Sequence, residues 1–212
     1  MVRPSRNVDR ALLASGAALY PRLGCAGLSV RAVAAHAGTS PGMFHYHFES
    51  KDDFVRELLQ RFYDDLFEQI APPAREAGEP LARLRQVLLV LGRMLRQHAP
   101  VLRRVLADAG AGHAVAVQFL RRNMPRHLKL LLQLLAEAEA AGHIAPRPPL
   151  LRLTFLLGAV LAPVLLALLL KESGLLPTLA RPQVGPQVLS DAAIAQRADL
   201  ALQALTTGDF HA

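Results

Sequence analysis

The residues best suited to chemistry lie between positions 39 and 51, where hydroxyl, imidazole and phenol side chains crowd together. Met43, His45, Tyr46 and His47 surround one large apolar residue, Phe44. A buried core does not account for so many polar rings on one helical turn, whereas hydrogen bonding to base edges in the DNA major groove does. The alternative interpretation is a polar surface turn between two packing helices. Donors beside predicted helix starts favour phosphate oxygens: Thr39, Ser40, Tyr46 and Lys51.

The positions of serine, glycine and proline predict the helices that hold this stretch. Serines at three helix starts can act as N-caps by accepting a backbone N–H: Ser29, Ser40 and Ser50. Gly38 suits the left-handed turn that ends the first helix, and Pro41 suits the first position of the second. Asp53 stands at the return position of a capping box in the third. Two short helices on either side of a tight glycine turn predict a helix-turn-helix.

The stretch from Gly42 to Phe54 resembles the signature of the TetR/AcrR family of one-component transcriptional regulators. It reads GMFHYHFESKDDF, and the family pattern runs Gly-x-Leu-Tyr-Tyr-His-Phe-x-Ser/Asn-Lys-Glu-x-Leu. The preceding segments Leu28–Arg31 and Val33–Ser40 are similar to the family's Leu-Thr-Val-Arg, Ile-Ala and Ala-Gly-Val-Ser, so the resemblance covers roughly residues 5–65. His45 stands where the family commonly has Tyr, so the operator sequence of a relative cannot be transferred to this chain.

The resemblance implies an all-α protein with a helix-turn-helix DNA-binding head, residues 1–52, and an effector-binding and dimerisation body, residues 53–212. It implies a cytoplasmic homodimer that binds a palindromic double-stranded DNA operator and acts as a ligand-responsive repressor. Thr39, Met43, His45 and Tyr46 would meet base edges or nearby backbone. The remaining contacts would mainly position phosphates: Ser29, Ser40, His47 and Lys51.

Composition agrees with this class of protein. A net charge of +7 favours a polyanionic partner, and the scarcity of alternating β-branched runs predicts helices throughout. The single cysteine, Cys25, forbids an internal disulfide and fits a reducing compartment. His45 and His47 point to different sides of a helix, which argues against a shared metal ion. The sequence holds no nucleophile elbow, Gly-rich phosphate loop or His-Glu-x-x-His motif, so neither catalysis nor a cofactor is predicted.

Apolar spacing predicts long helices through the rest of the chain. The helix after Ser50 would join the head to the body and would end or kink at Pro72–Pro73. Pro125 is predicted to kink another long helix and to open space beside it. Further predicted helices span about residues 80–98, 100–109, 113–141, 150–170 and 191–205, with a loop rich in Pro and Gly at 174–188.

The segment Leu150–Leu170 is almost entirely apolar and allows two interpretations. Its length reaches the lower limit for a transmembrane helix, but Gly158 and Pro163 interrupt it, and Arg152 and Lys171 bracket it. Burial against its own body and against a partner subunit explains the segment better. The prediction is a homodimer, without membrane contact, formed through the helices near 150–170 and 191–205.

Apolar side chains of the body helices are candidates for the wall of an effector pocket, although plain core is the competing interpretation for each. They predict a lipophilic effector, and nearby arginines also allow an anionic one. The candidates are Phe62, Leu66, Leu91, Met94, Leu95, Phe119, Met124 and Phe155.

A second class of function is a helical protein that binds a small molecule or a partner and has lost DNA reading. Its mark would be a damaged recognition helix. The caps, Tyr46 and Lys51 argue for the regulator instead.

Overall fold

The structure, a computed structural model, describes residues 5–206, with side chains from Asn7 onward. The described residues form helices and no strand, which confirms the all-α prediction. The helices are α1 (Ser5–Gly27), α2 (Val30–His36), α3 (Pro41–His47), α4 (Lys51–Arg75), α5 (Pro80–Gly110), α6 (Ala114–Ala140), α7 (Pro149–Glu172), α8 (Arg181–Val184) and α9 (Asp191–Thr206), with a π-helical turn at Gly185–Leu189.

The chain forms two compact units that are not consecutive in sequence. The first comprises the described residues up to Asp65 together with Pro100–Met124, and the second comprises Leu66–Ala99 and the described residues from Pro125 onward. Each boundary falls inside a long helix. The predicted boundary between residues 52 and 53 concerns function and stays a prediction, and the outermost residues of both predicted domains, 1–4 and 207–212, lie outside the described range.

Three aromatic rings form the centre of the first unit's core. Phe44, Phe48 and Phe54 have ring centroids 4.9–5.4 Å apart, which is typical of aromatic pairs. Phe44 comes from α3, Phe54 comes from α4, and Phe48 follows α3 directly. The cluster therefore fastens two helices and their connection. Buried aliphatic residues surround it: Leu12, Leu28, Val33, Val55, Leu59 and Val105.

A pair of side-chain amides joins α4 to α6 within the first unit. Gln60 Nε2 donates to Asn123 Oδ1 at 3.2 Å, and Asn123 Nδ2 donates to Gln60 Oε1 at 3.1 Å. The Tyr63 hydroxyl donates to the Asn123 carbonyl at 2.8 Å. Asn123 is buried, so these bonds satisfy a polar group whose desolvation would otherwise be unfavourable.

Prolines interrupt the helices less than their sequence positions predict. α4 continues through Pro72 and Pro73 to Arg75, and α5 runs through Pro100 as one helix. The predicted break before Pro100 is therefore wrong, and α4 does not end at Pro72–Pro73, so for this helix only the predicted kink stays a prediction. A proline removes one N–H bond, whereas its neighbours Ala71 and Ala99 are buried, so packing holds the chain helical. The predicted loop 174–188 is also partly helical, since it contains α8 and most of the π-helical turn.

In the second unit, α7 has a buried apolar side and an exposed apolar side. The buried side consists of Leu153, Leu156, Val160, Val164 and Ala167. Arg152 is buried at its start and pairs with Glu139 Oε2 at 2.5 Å. Among the described helices, α7 alone is long and apolar enough to cross a membrane by length and composition. Its exposed apolar side chains are Leu150, Leu151, Phe155, Leu166 and Leu169.

Candidate nucleic-acid interface

Side-chain caps fix the starts of α2, α3 and α4 as the sequence predicts. Each cap is a serine Oγ that accepts the backbone N–H three residues later, at 3.0–3.3 Å: Ser29, Ser40 and Ser50. The reciprocal bond of the predicted capping box is replaced by an ion pair, because the Asp53 carboxylate accepts from Arg56 Nη1 at 3.0 Å.

A glycine turn sets the path from α2 into α3. Gly38 has a φ of 65°, a conformation that glycine adopts without strain. The Gly38 N–H donates to the Ala35 carbonyl, and the Thr39 N–H donates to the Ala34 carbonyl at 2.9 Å. These two bonds form a Schellman motif, which satisfies the last carbonyls of α2. The turn therefore holds α3 in a defined direction relative to α2.

α3 buries one side chain and presents the others. Phe44 is fully buried, whereas Tyr46 is 73% exposed and His45 is exposed. Met43, His47 and the preceding Thr39 are half-buried, and the His47 ring lies edge-on to Tyr46 with 5.1 Å between centroids. The outward face of α3 thus offers imidazole and phenol groups, which can donate to and accept from base edges.

Lys51 has a structural contact that the sequence did not reveal. Its Nζ donates to the Cys25 carbonyl near the end of α1, at 2.9 Å. An ammonium has three donors, so two remain for a phosphate. The predicted phosphate contact of Lys51 stays a prediction, and substitution of Lys51 would also remove a bond between α4 and α1.

A buried carboxylate joins α5 to the C-terminal part of α1. Asp108 is 1% exposed. Its Oδ2 accepts from the Tyr20 hydroxyl and from the Cys25 N–H, each at 2.8 Å. Its Oδ1 accepts from Arg104 Nε at 3.0 Å and from Arg104 Nη2 at 2.8 Å. Four hydrogen bonds, two of them from a cation, therefore stabilise the buried charge.

The close approach of Arg104 requires glycine at position 24. Gly24 has a φ of 62°, and a Cβ there would lie 1.9 Å from Arg104 Nε. Any larger residue would displace the guanidinium and strain the backbone. Gly24 therefore ends the regular part of α1 and also leaves room for Arg104, the partner of Asp108.

The network sets the protonation states of its members. Burial raises the pKa of Asp108, but the bonds donated by Cys25, Tyr20 and Arg104 outweigh burial and hold this pKa below its ordinary value. Burial and the hydrogen bond to Asp108 raise the pKa of Tyr20, and burial raises the pKa of the Cys25 thiol to about 11. At neutral pH the carboxylate is charged while the phenol and thiol are neutral.

The predicted pocket residues are divided between the two compact units, and their role stays a prediction. Leu66, Met94 and Leu95 are buried, whereas Met124 and Phe155 are 41% and 44% exposed. The first unit holds Phe62, Phe119 and Met124, and the second holds Leu66, Leu91, Met94, Leu95 and Phe155.

Two cavities in the second unit combine basic and apolar side chains. One, of about 200 Å³, lies between α4 and α6 and is lined by Phe67, Arg75, Arg126 and Lys129. The Arg126 Cζ lies 4.3 Å from the centroid of the Phe67 ring, in a cation–π contact. The other, of about 480 Å³, includes Lys171, Leu176, Arg181, Val184 and Leu189 in its lining.

Comparisons with known proteins relate the chain to bacterial regulators. Residues 12–58 match the family described as bacterial regulatory proteins, tetR family. The HTH-type transcriptional repressor KstR2 of Mycobacterium tuberculosis (strain H37Rv) is 32% identical over 87 residues, which are 41% of this chain and 44% of that protein. The chain thus spans less than half the length of this curated relative.

Solved structures share the fold over nearly the whole chain. The regulator FadR of Bacillus subtilis, in complex with stearoyl-CoA, matches with a TM-score of 0.66 and 15% identity over 94% of this chain and 98% of that one. The fatty acid degradation regulator FadR of Bacillus halodurans matches with a TM-score of 0.67 and 16% identity over 100% of each chain. At these identities the likeness is one of fold.

Asp108→Asn is expected to lower the free energy of unfolding by about 3 kcal/mol at pH 7, because it weakens charge-assisted bonds and leaves Arg104 without its buried partner. The pKa of Asp108 is lowered in the folded state, so the carboxylate's contribution is present above about pH 4 and is lost as pH falls through the folded pKa. The free energies of unfolding of the unaltered protein and of Asp108→Asn, measured in urea between pH 7 and pH 3, should differ by a constant amount down to about pH 4. Below about pH 4 this difference should become smaller.

The matched control is Glu57→Gln, which removes an exposed ion pair with Arg61 on α4. Exposed pairs contribute at most about 1 kcal/mol. Equal decreases in the free energy of unfolding of Asp108→Asn and Glu57→Gln would contradict the conclusion that the buried Asp108 network stabilises the fold more than an exposed ion pair does.

Proposed function

We propose that this chain, whose N-terminal region belongs to the tetR family of bacterial regulatory proteins, is a transcriptional repressor that binds operator DNA as a homodimer and releases it when a small amphiphile binds. The outward face of α3 carries this proposal. His45 and Tyr46 are exposed on a helix that Ser40 caps and Phe44 anchors, which is the arrangement that reading of a major groove needs. The name of KstR2 as a transcriptional repressor supports the direction of regulation.

On DNA, α3 of each subunit lies in the major groove of one half-site, and half-sites lie about one helical turn apart or somewhat more. Base edges or nearby backbone contact Thr39, Met43, His45 and Tyr46, and phosphates contact Ser29, Ser40, His47 and Lys51. A helical protein that has lost DNA reading is not favoured, because the caps and the anchor of α3 are intact. The site of action is the cytoplasm.

The homodimer forms through α7 and α9. α7 leaves five large apolar side chains exposed, and Leu200 of α9 is 58% exposed. Exposed apolar surface of this kind marks an interaction site, and a second copy of the same surface would bury it around a two-fold axis. Dimerisation accounts for the apolar composition of α7 without a membrane.

The effector is an amphiphile with an anionic group, and the basic lining of the cavity between α4 and α6 binds that anionic group. Three cations and an aromatic ring line this cavity, which suits a molecule that is anionic at one end and apolar elsewhere. α4 begins four residues after α3 ends. A ligand that shifts α4 therefore also shifts the recognition helix, α3. The complex of Bacillus subtilis FadR with stearoyl-CoA supports an acyl thioester as the class.

Tyr46→Ala is expected to weaken specific DNA binding about tenfold or more, since loss of a base contact costs about 1–3 kcal/mol. The measurement is a gel shift on DNA from immediately upstream of the protein's own gene, extended by genome-wide selection of bound fragments. Affinity should also fall steeply between about 50 and 200 mM salt. Leu179→Ala, a 92% exposed side chain in the second unit, should bind as the unaltered protein does. Absence of any specific binding by the unaltered protein would contradict the proposal.

Leu166→Glu is expected to convert the dimer to monomer, because it would bury a carboxylate in an apolar interface. Sedimentation velocity at micromolar concentration measures the change, and circular dichroism checks that the helices persist. Leu179→Glu places the same charge on another exposed leucine, outside α7 and α9, and should leave the dimer intact. A monomeric unaltered protein would refute this interface.

Stearoyl-CoA is expected to release the operator, whereas coenzyme A alone at the same concentration should not, because it lacks the apolar chain. Fluorescence anisotropy of labelled operator follows the release. Arg126→Ala should raise the concentration needed for half-release about tenfold, since it removes a cation that faces the cavity. Arg181→Ala, which alters the other cavity, should leave this concentration unchanged. A larger effect of Arg181→Ala than of Arg126→Ala would show that the effector binds in that other cavity.

A further inference from the structure

We propose that His45 makes operator binding proton-coupled, by binding DNA as an imidazolium that donates to a guanine in each half-site. This inference rests on the proposed function and assigns a chemistry to one residue of its interface. An imidazolium has two N–H donors and no acceptor. The major-groove edge of guanine offers two acceptors, N7 and O6, whereas adenine and cytosine present donors beside or instead of acceptors. A charged His45 therefore distinguishes guanine from the bases that present a donor.

The imidazole of His45 packs against Phe44 but has no hydrogen-bond partner within the described part of the chain. Its ring lies edge-on to the buried ring of Phe44, with 5.6 Å between centroids and 78° between planes. No hydrogen bond or ion pair of a described residue involves either ring nitrogen. One side of the ring is thus fixed by the core, while both nitrogens are available to DNA.

The charged and titratable neighbours of His45 leave it without a competing carboxylate. On α1 and α4, Asp9 accepts from the Arg10 N–H and Asp53 pairs with Arg56. Glu49 and Asp52 are exposed and make no bond to His45. In the first two turns of α4, Glu57 pairs with Arg61. The remaining charged or titratable groups described on α1, α2, α3 and those two turns of α4 are Tyr20, Arg22, Cys25, Arg31, His36, Tyr46, His47 and Lys51. DNA phosphates would therefore supply the negative charge that favours the imidazolium.

Proton uptake follows from linkage between protonation and binding. Histidine is the side chain whose charge ordinarily changes between pH 5 and 8. Phosphates beside a bound imidazole stabilise its charged form. Whatever binds the protonated form better takes up a proton on binding. The association constant then rises by up to about tenfold for each unit by which pH falls, for each proton taken up.

The other two imidazoles of this region are weaker candidates. His47 Nε2 is buried, and no described group hydrogen-bonds to it, so this nitrogen is not available to the phosphate that His47 is proposed to contact, and a proton on it would lack an acceptor. His36 is exposed at the end of α2, outside the recognition helix. It supplies a matched control, because it is also an exposed imidazole in the last turn of a short helix.

The experiment is fluorescence anisotropy of the full-length protein on its operator at pH 6, 7 and 8 and constant ionic strength. Because a dimer carries two His45 side chains, the unaltered protein is expected to bind more tightly by about threefold to a hundredfold for each unit of decrease in pH. His45→Tyr should bind with a nearly flat pH profile, and His36→Tyr should keep the profile of the unaltered protein. The measured quantity is the change in affinity with pH. A variant that only binds DNA more weakly at every pH therefore does not give the predicted result. His45→Gln repeats the test if His45→Tyr fails to fold.

Selection of bound fragments from random DNA at pH 6 and pH 8 tests the base. Guanine should be enriched at one position of each half-site more strongly at pH 6, and His45→Tyr should remove this difference. A flat profile of the unaltered protein, or a slope that survives His45→Tyr, would overturn the proposal while leaving a DNA-binding repressor in place. Absence of specific binding at every pH would overturn the proposed function together with it.

Discussion

The hydrogen bonds that converge on Asp108 are the interaction on which the first compact unit depends. A single buried carboxylate collects the Tyr20 hydroxyl, the Cys25 N–H and the guanidinium of Arg104, and so holds the end of α1 against α5. Lys51 adds a bond from the start of α4 to the same Cys25. A buried charge requires well-formed hydrogen bonds, because the loss of any partner leaves part of its desolvation cost uncompensated. The helices that support α3 are therefore fixed by a few directional bonds as well as by the aromatic cluster.

This arrangement separates the residues that stabilise α3 from those that would read DNA. Phe44 and the Ser40 cap hold the helix, while His45 and Tyr46 are exposed and contribute few contacts to the fold. A change at an exposed position usually alters stability by less than about 0.5 kcal/mol. The base-reading face can therefore vary without loss of the scaffold. The presence of His45 where the family commonly has Tyr is a change of this kind.

Local structure could be predicted from the sequence, but contacts between distant residues could not. The three serine caps and the Gly38 turn depend on residues within five positions of one another, and the structure confirms them. Pro100 gave a wrong boundary, since packing around it holds α5 together. Asp108 gave no signal, because its partners Tyr20 and Cys25 are 88 and 83 positions away. The residues that line a proposed effector pocket stay a prediction for a related reason: the sequence of a body helix does not distinguish an apolar residue that lines a cavity from one that fills a core.

The position of the chain's one cysteine makes the Asp108 network observable. Cys25 is buried, and burial raises its thiol pKa to about 11, so both access and chemistry suppress its reaction with a disulfide reagent. It becomes reactive when α1 separates from α5. The rate at which Cys25 is labelled under native conditions therefore reports how often this network opens, without an engineered probe. The natural sequence thus carries a reporter of how often the support of the recognition helix comes apart.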